Sequence, residues 1–202
     1  MVIVEKHGSQ IKYFEFSNNS YSSTEVIKMV NEYGTSRSMA EDDSISSDYE
    51  SNDKVISTLN GLIETCKDGQ EGFQTAAEGV ERSDLKTLFY EFSQQRAEFA
   101  GVLQELVRSL GGDPEHTGST AGALHRGWID IKSAVTGQDD EAILNECERG
   151  EDSAKDTYRE ALEMKLPANI ADVISQQSQA ILAAHNRIRS LRDAQDQRAA
   201  NT

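Results

Sequence analysis

Four long stretches between Asn52 and Ala194 carry apolar residues at helical spacing, and each series is broken near its middle by a polar residue. The four interruptions are Gln70, Gln95, Glu151 and Gln177. An amphipathic helix has to bury its stripe against another element, so four such stripes predict a four-helix bundle. Polar residues at one height in every stripe predict a buried polar layer, which in helical bundles sets register or holds metal. Three of the four are uncharged amides, poor ligands for a hard cation.

The first series is Val55, Leu59, Leu62, Cys66, Phe73, Ala76 and Val80, and it predicts a helix from about Asp53 to Val80 with Gln70 in the vacant step. Ser83 and Asp84 offer an N-cap for a second helix, from about Asp84 to Leu110. Its series is Leu85, Leu88, Phe92, Phe99, Leu103, Leu106 and Leu110 around Gln95, and Gly111, Gly112 and Pro114 stop it. A shorter third helix, about Ala121 to Val135, places Leu124, Trp128, Ile131 and Val135 on one face. Asp139 or Asp140 caps the fourth, whose series is Ile143, Cys147, Ala154, Tyr158 and Ala161 around Glu151. Pro167 suits the first turn of the fifth, where Ile170, Ile174, Ile181, Ala184, Ile188 and Leu191 flank Gln177.

The turn between the first two helices is so short that they must be antiparallel neighbours. At ~1.5 Å per residue the third helix rises roughly 23 Å, enough to carry the chain back along the bundle. The fourth helix then runs parallel to the second. The expected architecture is all-α: antiparallel pairs joined by a crossover that carries an extra helix. A five-helix up-down series is the alternative.

The formal charge of -15 argues against nucleic acid and anionic membrane surfaces, both of which need a basic footprint. No apolar run approaches the ~20 residues that span a bilayer, and no secretory leader is recognisable, so a soluble cytoplasmic protein is expected. Cys66 and Cys147 fall on apolar stripes and are read as small buried hydrophobes of a reduced protein.

Residues 1 to 38 differ from the rest. They hold four basic and four acidic residues, so the net charge lies entirely beyond Ser38. Ile11 to Phe16 is a candidate strand and Ser23 to Tyr33 a candidate helix, together too small for a core. The segment is expected to be poorly ordered or loosely docked, and Met39 offers an alternative start that would make it an upstream extension. Residues 39–52 read as an acidic Ser-rich tail, 53–194 as the bundle, and 195–202 as a disordered C-terminal tail.

Several strings within the bundle are distinctive: ETCKDGQEGF from Glu64, FSQQRAEFA from Phe92, GSTAGALHRGW from Gly118, ECERGEDSA from Glu146 and AAHNRIRSLRD from Ala183. Over about residues 55–194 the chain resembles an uncharacterised bacterial family of ferritin-like four-helix-bundle proteins, a domain of unknown function. The resemblance implies a ferritin-like fold and supplies no reaction.

A ferritin-like di-iron site takes a carboxylate from each of two helices and Glu-x-x-His from each of the other two. Here Gln95-Arg96-Ala97-Glu98 stands in place of one such motif, and Leu182 precedes His185 by three residues in the other. Glu151 is in its seam, and the first helix offers Gln70 with Glu71 beside it. No catalytic residue, cofactor or metal is therefore expected. Gln70, Gln95 and Gln177 are instead expected to satisfy one another, Glu151 and Tyr158 across the core. An altered site for iron or another divalent metal would use Glu71, Glu98, Glu151 and His185. Gly69 and Gly150, level with the layer, suggest converging backbones or room for a guest, as in a ligand carrier. Trp128 with His125 and Arg126 is read as packing against the bundle.

The resulting expectation is a non-catalytic bundle that acts by association, as a homodimer or with a protein partner. A stress-associated role follows only by analogy with ferritin-like relatives. The alternative from another class is a metal-binding or iron-oxidising protein.

Overall fold

The structure, a computed structural model, describes residues 2–7, 10–15, 49–114, 131–137 and 139–200. The chain divides into two compact units, Met1–Met39 and Ala40–Thr202. In the first, β1 (Val2–His7) and β2 (Gln10–Glu15) pair antiparallel, in register from Val2 opposite Glu15 to His7 opposite Gln10. The strand expected at Ile11 to Phe16 corresponds to β2. Its partner, built on the β-branched run Val2, Ile3 and Val4, was not anticipated. The helix expected at Ser23 to Tyr33 lies outside the described residues.

The second unit is built from α1 (Asn52–Gly79), α2 (Ser83–Ser109), α3 (Ile131–Thr136), α4 (Asp140–Leu162) and α5 (Ala168–Ala200). The boundaries have local causes. Asp139 caps α4 by accepting from Glu141 N at 3.0 Å. At the end of α2, Gly111 takes φ +80, Gly111 N donates to Arg108 O at 3.0 Å, and Gly112 N donates to Val107 O at 2.9 Å. That pair of bonds is a Schellman closure, which requires the left-handed residue that glycine supplies.

Two expected boundaries move. Arg82, not Ser83 or Asp84, holds the N-cap position of α2, and it makes no side-chain cap; its guanidinium instead reaches Asp84 at 2.6 Å. At the other terminus α5 continues to Ala200, so much of the tail expected to be disordered is helical. Alanine, glutamine and arginine are good helix formers and nothing between Ala194 and Ala200 breaks the helix.

Hydrogen bonds at the bundle ends fix the direction of each helix. Glu50 N bonds Lys165 O and Glu81 N bonds Asp140 Oδ1, both at 3.1 Å, so α1 and α4 run antiparallel. Asn60 Nδ2 reaches Asp113 O at 3.1 Å, which closes the antiparallel pair of α1 and α2. It follows that α2 and α4 are parallel, and the connection between them starts at one end of the bundle and finishes at the other. Each of α1, α2, α5 and α4 packs on the next and α4 packs on α1, a closed ring of four rather than a row of five. Of the expected third helix only α3 is described; it rests on α1 and α4, with Ile131 buried.

The core falls into two apolar clusters. Leu59, Leu62, Leu103, Leu106, Ile170 and Ile174 belong to one, and Phe73, Leu85, Phe89, Ile143, Leu144 and Ile188 to the other. Each such side chain, fully buried, stabilises the fold by about 1.5–3 kcal/mol. A polar layer separates the two.

Candidate functional site at the bundle centre

Arg96 lies on the buried face of α2, between Phe89 and Leu103, and its side chain enters the bundle. Gly69 on α1 makes the room: a Cβ there would stand 3.3 Å from Arg96 Cγ. The guest beside Gly69 is thus an arginine of the same chain. Its guanidinium carbon sits 5.8 Å from the Phe73 ring centroid and 5.6 Å from that of Phe99, cation–π contacts on two walls. Nη2 donates to Glu151 Oε2 at 2.6 Å and Nη1 to Gln95 Oε1 at 2.7 Å.

Glu151 comes from α4, and it and Arg96 are each 1% exposed. Burial pushes the Glu151 carboxyl above its usual range, against the pull of the Arg96 charge and its hydrogen bond. Each partner keeps one atom in reserve: Arg96 Nε and Glu151 Oε1 are buried without a hydrogen-bond partner among the described residues. The pair cancels in net charge, which lets both ions stay in an apolar core.

A second chain of polar groups crosses the same level. Gln177 Nε2 on α5 donates to Phe99 O at 3.4 Å, which turns its oxygen toward Tyr158; the Tyr158 hydroxyl donates to that oxygen at 2.7 Å. With the phenol proton so used, the 3.1 Å contact of Cys66 Sγ with Tyr158 Oη is a thiol donating to the phenol oxygen. Burial raises Cys66 to about 11 and Tyr158 well above its ordinary value. Ser93 Oγ adds a bond to Gln70 O at 2.9 Å, tying α2 to the backbone of α1.

The residues expected in the polar layer are placed differently from one another. Glu151, Tyr158 and Gln177 are buried, whereas the Gln70 and Gln95 side chains are half-buried at the rim. Gln95 touches Glu151 only through Arg96, and Gln70 contributes its carbonyl oxygen. The four residues of the altered metal site do not meet: Glu71 and Glu98 are exposed, and Glu98 accepts from Gln94 on its own helix. His185 is buried but sits on the seam of α4 and α5, with Nε2 3.0 Å from Asp152 Oδ1. His125, Arg126 and Trp128 lie outside the described residues.

Arg96 is the residue of the central layer that sequence reasoning missed. Periodicity placed the gap in the α2 series at Gln95, and the buried stripe passes one residue further on, through Phe89, Ser93, Arg96, Ala100 and Leu103. The usable signal was Glu151 itself, a carboxylate in an apolar seam that needs a cation within reach.

Residues 54–164, more than half of the chain, match the sequence profile of a family described as a domain of unknown function, DUF2383. The chain belongs to the DUF2383 family. No curated protein matches it in sequence. Among solved structures, this DUF2383 chain is similar to a two-domain protein from Anabaena variabilis containing DJ-1/ThiJ/PfpI-like and ferritin-like domains. The similarity has a TM-score of 0.61 at 14% identity and covers 83% of this chain and 50% of that one, so the chain spans about half of that protein. At such identity the likeness concerns the fold, an all-α ferritin-like bundle.

That fold implies paired iron at mid-height, and this chain's side chains there do not fit it. Among the described residues the centre offers one carboxylate, already bonded to a guanidinium, together with a thiol, a phenol and an amide. Two hard cations need several anionic oxygens and imidazoles. A fixed positive charge 2.6 Å from the one carboxylate opposes them. The expectation that neutral amides replace the metal ligands is therefore corrected: a charged arginine takes the middle.

Proposed function

We propose that this protein is a non-catalytic ferritin-like bundle that acts by association, a second copy of the chain being the simplest partner. The observation that carries the reading is the Arg96–Glu151 ion pair, which fills the core level where a ferritin-like oxidase would need an open, anionic cage. Interaction then falls to the surface, where Tyr90 on α2 is 46% exposed and Leu182 on α5 is 47% exposed. A cytoplasmic location belongs to the same reading, supported by free Cys66 and Cys147. No described helix is long and apolar enough to cross a membrane.

Iron content and ferrous oxidation of protein produced under iron supplementation test the non-catalytic part, and light scattering after size exclusion tests the association. A dimer with no oxidase activity is expected. Two irons per chain, lost on Glu151→Gln, would overturn the reading in favour of an iron-handling protein, and a strict monomer would remove self-association.

A further inference from the structure

Away from the central pair, on the seam between α4 and α5, Glu148, Asp152 and His185 present metal-ligating atoms all within 4.8 Å of one another. Glu148 and Asp152 are four residues apart on α4, which stacks their carboxylates on one helical face. His185 enters from α5, with Nε2 3.0 Å from Asp152 Oδ1 and 3.8 Å from Glu148 Oε1. The imidazole is 7% exposed and Asp152 is 54% exposed, so the cluster has a closed inner side and one arm at the surface.

Two contacts hold these side chains in place. His185 Nδ1 lies 3.3 Å from Asn186 Oδ1, so that one ring nitrogen has a partner on its own helix while Nε2 faces the carboxylates. Arg192 holds Glu148 by Oε2 and leaves Oε1 toward His185, the anchoring that ligating carboxylates have in metal sites. Lys155 at 2.8 Å from Asp152 Oδ1 is the competing cation, but its carboxylate partner is 54% exposed, and ion pairs open to solvent are weak.

We propose that Glu148, Asp152 and His185 form a mononuclear site for a divalent transition-metal ion, with water completing the sphere on the Asp152 side. One imidazole with two carboxylates suits zinc, manganese or ferrous iron better than magnesium or calcium, which prefer oxygen alone. The site stands apart from the centre and does not depend on the function proposed above. A single ion lost with His185 is distinguishable from two irons lost with Glu151.

The test is calorimetric titration of the chelator-treated full chain with zinc chloride in excess magnesium. One equivalent of zinc is expected, weakened at least roughly tenfold by His185→Gln and by Asp152→Asn. Asp156→Asn, at an exposed acid outside the cluster, leaves it unchanged. Asp152 is largely exposed, so its variant keeps the fold; cobalt substitution adds a visible spectrum that should change in His185→Gln. Absence of stoichiometric zinc, equal competition by magnesium, or an affinity indifferent to both substitutions would overturn the proposal.

Discussion

Arg96 Nη2 and Glu151 Oε2 meet at 2.6 Å across the middle of the bundle, between an apolar cluster on either side. Removing one partner strands the other in a medium that cannot solvate it. Arg96→Met is expected to cost about 3–5 kcal/mol, while the joint change of Arg96 and Glu151 to methionine recovers most of that loss. Urea denaturation of the two singles and the double measures both effects. A double variant no more stable than the singles would show that the pair is not an isolated unit.

Glu151 predicts an inverted acid response. Its folded carboxyl, raised chiefly by burial, holds a proton more tightly than the unfolded one does. Its contribution to stability is therefore greatest at low pH and is lost as pH rises from the ordinary carboxylate range through the raised value. The stability of the wild type relative to Glu151→Gln should improve on acidification across that window. A difference flat with pH, read from denaturation midpoints, would contradict this.

The two thiols should be silent until the chain unfolds. Cys66 is raised to about 11 and Cys147 well above its ordinary value, in both cases first by burial, and both are fully buried. A thiol reagent at mildly alkaline pH should find neither in the native protein and both in denaturant. The raised Cys66 also predicts stability that falls as pH climbs from the ordinary thiol range, ~8.5, toward about 11.

Three glycines separate backbone from packing. Gly111→Ala meets a left-handed φ of +80 and should cost about 1–2 kcal/mol. Gly101→Ala has open space within a helix and should gain up to ~1 kcal/mol. Gly69→Ala presses on Arg96, which Glu151, Gln95 and two rings hold in place, and should destabilise. Thermal melts that rank the three otherwise would count against the tight fit around Arg96.

The order of helices, their approximate ends and the presence of a polar break were legible because they depend on neighbours along the chain. Apolar spacing, Asp139 as a cap and Gly111 as a stop act within one or two turns. Which residue fills the break is another matter. Gln95 and Arg96 are one step apart on α2, and a stripe read from spacing alone does not choose between them. An arginine is ordinarily assigned to solvent. It enters this core because Gly69 from α1 gives it space, Phe73 and Phe99 give it walls, and Glu151 from α4 gives it a counter-charge.

His185 shows the same division. Its position on the fifth helix is plain from the sequence; the alternative metal site groups it with Glu71, Glu98 and Glu151, whereas it faces Glu148 and Asp152. Local sequence decided the bundle; tertiary packing decided its centre and its seam, because the cost of burying a charge depends on which opposite charge another helix brings to it.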